Sequence, residues 1–105
     1  MTPKQTRVLS LMAGLDIAIE QHEEDVDYTK RVYPNYWLPI PTDHGPDLEF
    51  VRGDVVAKLI AWGWVTEPDV DGELHLTPRG RSMVTEAAID KAVGSEAAEA
   101  AGGER

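Results

Sequence analysis

The strongest pattern in this chain lies in residues 55–65, VVAKLIAWGWV, and in residues 74–80, LHLTPRG. Apolar side chains recur in and just before the first run at steps of three and four residues, which is typical of one face of an amphipathic helix. That stripe consists of Leu48, Val51, Val55, Leu59 and Trp62. It predicts a helix over residues 47–62, with a kink or a fresh start at Gly53. Gly63 then stands where a left-handed residue commonly ends a helix.

A strand-like period follows this helix. Residues 64–67 and 73–76 alternate apolar with polar side chains, which is typical of half-buried strands. The dipeptide at residues 71–72, Asp-Gly, lies between the two segments and is a tight-turn signal. We therefore expect a β-hairpin here.

Two further helices are predicted from one shared signature. Residues 2–3 and 77–78 are both Thr-Pro, in which threonine caps the first turn and proline occupies a position that needs no N–H donor. The first predicts a helix over residues 3–24, and the second predicts a last helix that Gly94 closes. Residues 28–45 contain three prolines and show no helical period, so we interpret them as an ordered loop with short extended pieces.

This order of elements resembles the winged helix-turn-helix proteins, in particular the MarR and PadR groups. In those groups a helix that ends in glycine and two hydrophobic residues precedes a wing that closes on Leu-Thr-x-x-Gly, and residues 63–65 and 76–80 match both motifs. The resemblance covers about residues 48–88. It implies an α+β, mostly α fold, a winged-helix-like domain with three main helices and a two-stranded β-hairpin wing. We expect this single domain over residues 1–94, followed by a disordered C-terminal tail over 95–105.

The composition narrows the class of protein. The 105 residues fit one domain, and no apolar run approaches the ~20 residues that span a bilayer, so no membrane contact is expected. The first residues lack the features of a secretory signal and the chain has no cysteine, which favours a cytoplasmic location. The formal net charge is −9, from 19 acidic and 10 basic residues. General attraction to a phosphate backbone is therefore unfavourable.

Binding to DNA would need a local basic patch. The candidate DNA contacts are Arg52 and Lys58 on the predicted second helix, with Arg79 and Arg81 at the start of the last helix. In the resembled regulators the wing tip is commonly basic, whereas residues 66–74 carry four carboxylates and no lysine or arginine. Phosphate groups would repel this wing, so DNA binding is disfavoured. The alternative interpretation of the four cations is that they pair with neighbouring carboxylates on the surface.

An aromatic segment is the main candidate for a protein interface. Four of the seven aromatic residues lie within residues 28–37. Tyrosine and tryptophan often anchor interfaces because they bury a large area for few lost rotamers. The interface candidates are Tyr33, Tyr36, Trp37, Leu38, Ile40 and, on the predicted wing, Trp64. The alternative is that this segment folds over the first helix and completes the core. Trp62 is expected to pack in the core, and Trp64 is the better candidate for exposure.

The residue pattern indicates no catalytic site. His22, His44 and His75 lie on separate predicted elements without the spacing of metal ligands, and residues 69–73 are too short for a calcium loop. Neither a serine nucleophile motif nor a glycine-rich phosphate loop occurs. We therefore expect no enzyme activity, no cofactor and no bound metal.

Two functional hypotheses follow. The first is a non-enzymatic protein-interaction module on a winged-helix scaffold, with a partner that presents a basic surface. The second, which the resemblance implies, is a DNA-binding transcription regulator that forms a homodimer through its first and last helices. The small size and the acidic composition, rich in alanine, glycine and aspartate, also look like accessory proteins of actinobacterial phages. That likeness would favour a protein that binds a host factor.

Overall fold

The computed structural model describes residues 1–22 and 35–102, with side chains described as far as residue 94. Within these ranges the helices are α1 (Pro3–Leu15), α2 (Gly53–Ala61), α3 (Pro78–Arg81) and α4 (Glu86–Gly102). The strands are β1 (Ile19–His22), β2 (Asn35–Ile40), β3 (Asp47–Val51) and β4 (Glu73–Leu74). All three strand pairs are antiparallel, and the order across the sheet is β3-β2-β1-β4.

The predicted fold class is wrong. The fold is α+β, but within the described ranges it contains four helices and a four-stranded antiparallel sheet. The winged-helix prediction allowed only three main helices and a two-stranded hairpin. Each of the differences has a local physical cause, given below.

Helix α1 is shorter than predicted. It begins as expected, since the Thr2 hydroxyl accepts a hydrogen bond from the Gln5 N–H at 3.2 Å and the Gln5 side chain accepts one from the Thr2 N–H at 2.9 Å. It ends at Leu15 and not at residue 24, because Asp16 adopts a left-handed conformation with φ 54°. Ile19 continues the helical spacing in the sequence, yet it is fully buried in strand β1.

The helix predicted over residues 47–62 divides into a strand and a helix. Its first part is β3, and α2 begins only after Arg52, which has extended backbone angles (φ −64°, ψ 143°). Leu48 and Val51 are three residues apart and therefore fit a helical stripe, although both belong to the strand. The predicted stop is confirmed, because Gly63 is left-handed with φ 74°.

Strands β2 and β4 come from segments for which the sequence predicted a loop and a hairpin, respectively. Residues 35–40 form the complete strand β2, where the prolines predicted a loop with short extended pieces; residues 28–34 lie outside the described part of the chain. The predicted hairpin is reduced to a single bridge between Val65 and Leu76. Its second half joins the sheet instead, since β4 pairs with β1 and the Gly72 carbonyl accepts a hydrogen bond from the Gln21 N–H at 2.7 Å.

The predicted last helix is two helices. Thr77 caps α3 as expected, with its hydroxyl accepting from the Gly80 N–H at 3.0 Å. The helix is interrupted after Arg81, and α4 continues through Gly94 to Gly102, so Gly94 does not close it. The disordered tail over residues 95–105 stays a prediction.

The core lies between the helices and one face of the sheet. Its buried side chains are Val8, Leu9, Leu11, Met12, Ile19, Leu38, Ile40, Val51, Val56, Leu59, Val65, Leu74, Val84 and Ile89. None of the helices in the described ranges is both long enough and apolar enough to cross a membrane. The other face of the sheet carries exposed side chains, and the candidate site lies there.

Candidate functional site

Strand β2 divides the predicted interface residues between two environments. Side chains alternate across a strand, so neighbouring residues point to opposite faces of the sheet. Leu38 and Ile40 are buried in the core at 0% and 4% exposure, and the partly buried Tyr36 packs against the same core. Trp37 therefore lies on the opposite, outer face. Of the predicted aromatic anchors on this strand, only Trp37 is directed away from the core; Tyr33 lies outside the described residues.

The outer face of β2 and β3 forms an apolar surface. Trp37 pairs in register with Phe50, and Pro39 with Leu48, so the four side chains lie on one face. The Trp37 and Phe50 rings make an edge-on contact with their centroids 5.3 Å apart. Phe50 and Leu48 each remain 47% exposed. We call these four residues the outer apolar patch.

The other half of the same face is acidic. Register places Phe50 beside Trp37, Trp37 beside Glu20, and Glu20 beside Glu73, so one row of side chains crosses all four strands. With adjacent strands about 4.8 Å apart, this row is roughly 14 Å long. It runs from two aromatic rings to two carboxylates. His22 lies beside Glu20, with its Nε2 3.3 Å from the Glu20 Oε1.

The inner face of β3 holds a partly buried ion-pair cluster at the sheet edge. The Glu49 carboxylate accepts hydrogen bonds from the Arg7 Nη2 at 2.6 Å and from the Lys4 Nζ at 2.9 Å, both from α1. Its side chain is only 24% exposed. The hydrogen bond from Arg7, supported by the one from Lys4, holds the pKa of Glu49 below its usual value despite the opposing effect of burial. This cluster ties β3 to α1.

The exposure of the two tryptophans that flank Gly63 is the reverse of the prediction. Trp62, expected in the core, is 41% exposed, whereas Trp64 packs partly buried against the core. Their ring centroids are 4.6 Å apart. Trp64 therefore contributes mainly to the packing of the domain, and the predicted interface loses this residue as an exposed anchor.

Two of the four predicted DNA contacts form ion pairs with neighbouring carboxylates. The Arg52 Nε lies 3.1 Å from the Asp54 carboxylate, and the Arg81 guanidinium pairs with Glu86. Arg79 lies over Gly63, and Lys58 is exposed on α2. The pairing of Arg52 and Arg81 agrees with the interpretation of these residues as ordinary surface charges.

Three potential metal ligands converge near β4. Carboxylate oxygens of Asp69 and Glu73 lie 2.9 Å and 3.6 Å from the His75 Nε2. The other oxygen of Asp69 accepts hydrogen bonds from the N–H groups of Asp71 and Glu73, at 2.9 Å and 3.0 Å. The backbone bond from Glu73 is the main cause that lowers the pKa of Asp69, and the bond to His75 adds to it. These groups close the turn before β4.

An open cleft of about 720 Å³ adjoins the acidic half of the sheet. Its walls mix apolar side chains such as Met12 and Leu76 with charged ones such as Asp16 and Arg81. Arg81 is paired with Glu86, and the described residues of the cleft hold no nucleophile beside a base.

The first and last helices, predicted as a dimer interface, pack against each other within the chain. A side chain at Gly14 of α1 would meet the Val93 and Ile89 methyl groups of α4 at 2.5 Å and 2.8 Å.

Comparison of the chain with known protein families, with curated proteins and with solved structures finds no match. The resemblance to the MarR and PadR groups therefore rests on its two short motifs.

Proposed function

We propose that this protein is a non-enzymatic protein-interaction module and that the outer apolar patch is its contact surface. The observation that carries the proposal is the contact of the partly buried Trp37 with Phe50 on an open sheet face, next to Leu48, which is as exposed as Phe50. Buried aromatic side chains supply much of the binding energy in protein interfaces. Contiguous exposed apolar groups on a small domain often mark such contacts.

The charges around the patch favour a partner with a basic surface. Glu20 and Glu73 continue the row of side chains that begins at Phe50 and Trp37, so the acidic half of the face adjoins the apolar half. The net charge of −9 adds a long-range attraction for a basic protein, which raises the rate of association more than the affinity. The ion pairs of Arg52 and Arg81 with their own neighbours further favour a protein over DNA as the partner.

The proposal is tested with the full chain as bait in an extract of the cells that express it. The double variant Trp37→Ser/Phe50→Ser removes the aromatic pair, and Trp62→Ser is the matched control because Trp62 is similarly exposed but lies at the end of α2. We expect at least one protein to be retained by the wild type and by the control but not by the double variant. With that partner purified, affinity should fall about tenfold or more in the double variant.

Circular dichroism must show that the double variant is folded before its binding is interpreted. If the folded double variant retains every protein that the wild type retains, with unchanged affinity, the outer apolar patch is not the contact surface and the proposal is wrong.

A further inference from the structure

Among the described residues, β3 is the strand at the open edge of the sheet. Backbone N–H and C=O groups of a strand residue point to the same side, and successive residues point to opposite sides. The Gln21 N–H bonds to the Gly72 carbonyl on the β4 side, so Glu20 faces β2 and its partner Trp37 faces β1. The even-numbered residues of β2 therefore face β3. The position of Pro39 agrees with this assignment. Its backbone nitrogen faces the β1 side, but it lies beyond the first residue of β1, so the lack of an N–H costs no hydrogen bond between the strands.

This alternation decides which groups of β3 remain free. The partners of Leu38 and Tyr36 are Glu49 and Val51, so these β3 residues bond to β2. Leu48 and Phe50 pair with residues that face the other way, and their own N–H and C=O groups point away from the sheet. Within the described residues no strand pairs with that side of β3. The two residues with free backbone groups are the two most exposed members of the outer apolar patch.

We infer that the partner binds as an added β-strand along β3, through an extended segment in which apolar and basic residues alternate. The inference rests on the proposed function and names how that surface is used. An added strand would bond to the backbone of Leu48 and Phe50 while its apolar side chains extend the patch beside theirs. Main-chain bonds and side-chain contacts would then be made by the same residues.

A second copy of this chain is a poor occupant of the edge. Two copies would bring together net charges of −9 each, which opposes the pairing of two β3 strands. At the centre of the edge, Arg7 and Lys4 already bind the Glu49 carboxylate, so this carboxylate adds little to the repulsion. A segment of another protein that carries lysine or arginine complements the net charge of −9, and its backbone pairs with the free groups of the edge.

The test starts from a random dodecapeptide display library panned against the full chain. We expect the enriched peptides to alternate apolar with basic residues, which is the period of a strand and not of a helix. One enriched peptide is then synthesised and added to the ¹⁵N-labelled protein. Amide hydrogen exchange at Leu48 and Phe50 should be fast in the free protein and at least about tenfold slower in the complex. Exchange at Glu49, whose N–H faces β2, should change little.

A pair of variants separates the backbone from the side chain. Leu48→Ala removes the side chain and keeps the N–H, whereas Leu48→Pro removes both from an edge position that tolerates proline. Loss of one hydrogen bond should weaken peptide binding by Leu48→Pro about two- to tenfold beyond the loss in Leu48→Ala, measured by fluorescence anisotropy.

Each contrary outcome has a distinct meaning. If both variants weaken binding equally and the Leu48 and Phe50 amides stay unprotected, the peptide contacts only side chains, so strand addition is wrong while the proposed function stands. Failure to enrich any peptide, or no effect of either variant, overturns both. Slow exchange of these two amides in the free protein would mean that the edge is already covered, by a second copy or by another part of this chain, and would also overturn strand addition.

Discussion

Gly80 should be the least replaceable glycine in the domain, and Gly94 among the most replaceable. A methyl group on Gly80 would lie 2.1 Å from the Trp64 carbonyl oxygen and 2.9 Å from a methyl carbon of Leu76. A methyl group on Gly94, in the middle of α4, would meet no atom of the described residues within 4 Å. The same substitution, glycine to alanine, should therefore have opposite effects at the two positions.

The magnitude for Gly80→Ala follows from the contact that must open. Helix α3 would have to move away from Trp64 by roughly 1 Å or more to restore an ordinary van der Waals distance. That shift lengthens the hydrogen bond from the Thr77 N–H to the Trp64 carbonyl, now 3.0 Å. Overpacking costs about 1–3 kcal/mol and the lost bond about 1 kcal/mol, against a helix-propensity gain of up to ~1 kcal/mol. We expect a net loss of about 1–4 kcal/mol, with a central value of about 2.5 kcal/mol.

Thermal unfolding followed by circular dichroism at 222 nm measures both effects. Gly80→Ala should lower the Tm by roughly 10–20 °C, since 1 kcal/mol corresponds to about 4–8 °C in a domain of this size. Gly94→Ala should raise the Tm by about 2–8 °C, because alanine improves helix stability by about 0.5–1 kcal/mol where nothing obstructs it. A Tm for Gly80→Ala equal to or above that of the wild type would refute the close packing of α3 on Trp64.

Two further predictions concern β3 and β2, the two strands that carry the outer apolar patch. Because the pKa of Glu49 is lowered, its ion pairs should stabilise the fold fully above the usual pKa of 4.5, and this stabilisation should be lost as the pH falls through the lowered pKa. Glu49→Gln breaks the ion pairs with Arg7 and Lys4 and should cost about 1–2 kcal/mol of unfolding free energy at pH 7. In urea unfolding at a series of pH values, the acid step in stability that Glu49 causes should be missing from this variant. An equal step in both proteins would show that Glu49 is not its source. On β2, Leu38→Ala should cost about 2–5 kcal/mol and Trp37→Ala only about 1 kcal/mol in the same assay, and similar costs would contradict the assignment of these neighbours to opposite faces.

The ends of the helices could be predicted from single residues because capping is local chemistry. Thr2 and Thr77 accept the expected hydrogen bonds, and Gly63 has the left-handed conformation that the stop required. Each of these features depends on a few neighbouring residues. The end of α1 at the left-handed Asp16 could not be predicted in this way, because aspartate adopts this conformation only occasionally.

The strands could not be predicted because their patterns are short or ambiguous. Leu48 and Val51 lie three residues apart, so a five-residue strand followed at once by a helix resembles one long amphipathic helix. Proline is rare in central strands, so Pro39 indicated that residues 35–40 are not one. Only the strand order shows that its nitrogen faces a position where β1 has not yet begun, so that no donor is needed there. Both facts depend on which strands become neighbours.

The candidate site was predictable in composition but not in geometry. The aromatic segment drew attention to Trp37, which lies on the outer face of the sheet, but the same reasoning also selected Leu38, which is in the core. Phe50 and Leu48 were assigned to a helix and so could not be recognised as their neighbours across the sheet. Once residues 35–40 and 47–51 are known to be strands, their alternation alone assigns the two faces.

The motifs that suggested a winged helix encode a local unit, and the site lies outside it. The Trp64 N–H bonds to the Leu59 carbonyl, and the Thr77 hydroxyl donates to the Gly63 carbonyl at 2.6 Å, so α2, the Val65–Leu76 bridge and α3 hold one another together. None of these contacts requires a particular arrangement of β1, β2 and β3. The chain can therefore carry these motifs and still add a sheet of its own. Among the described residues, this sheet leaves one side of β3 without a strand partner and carries apolar side chains on its outer face. The proposed binding therefore rests on the part of the chain that departs from the winged-helix pattern.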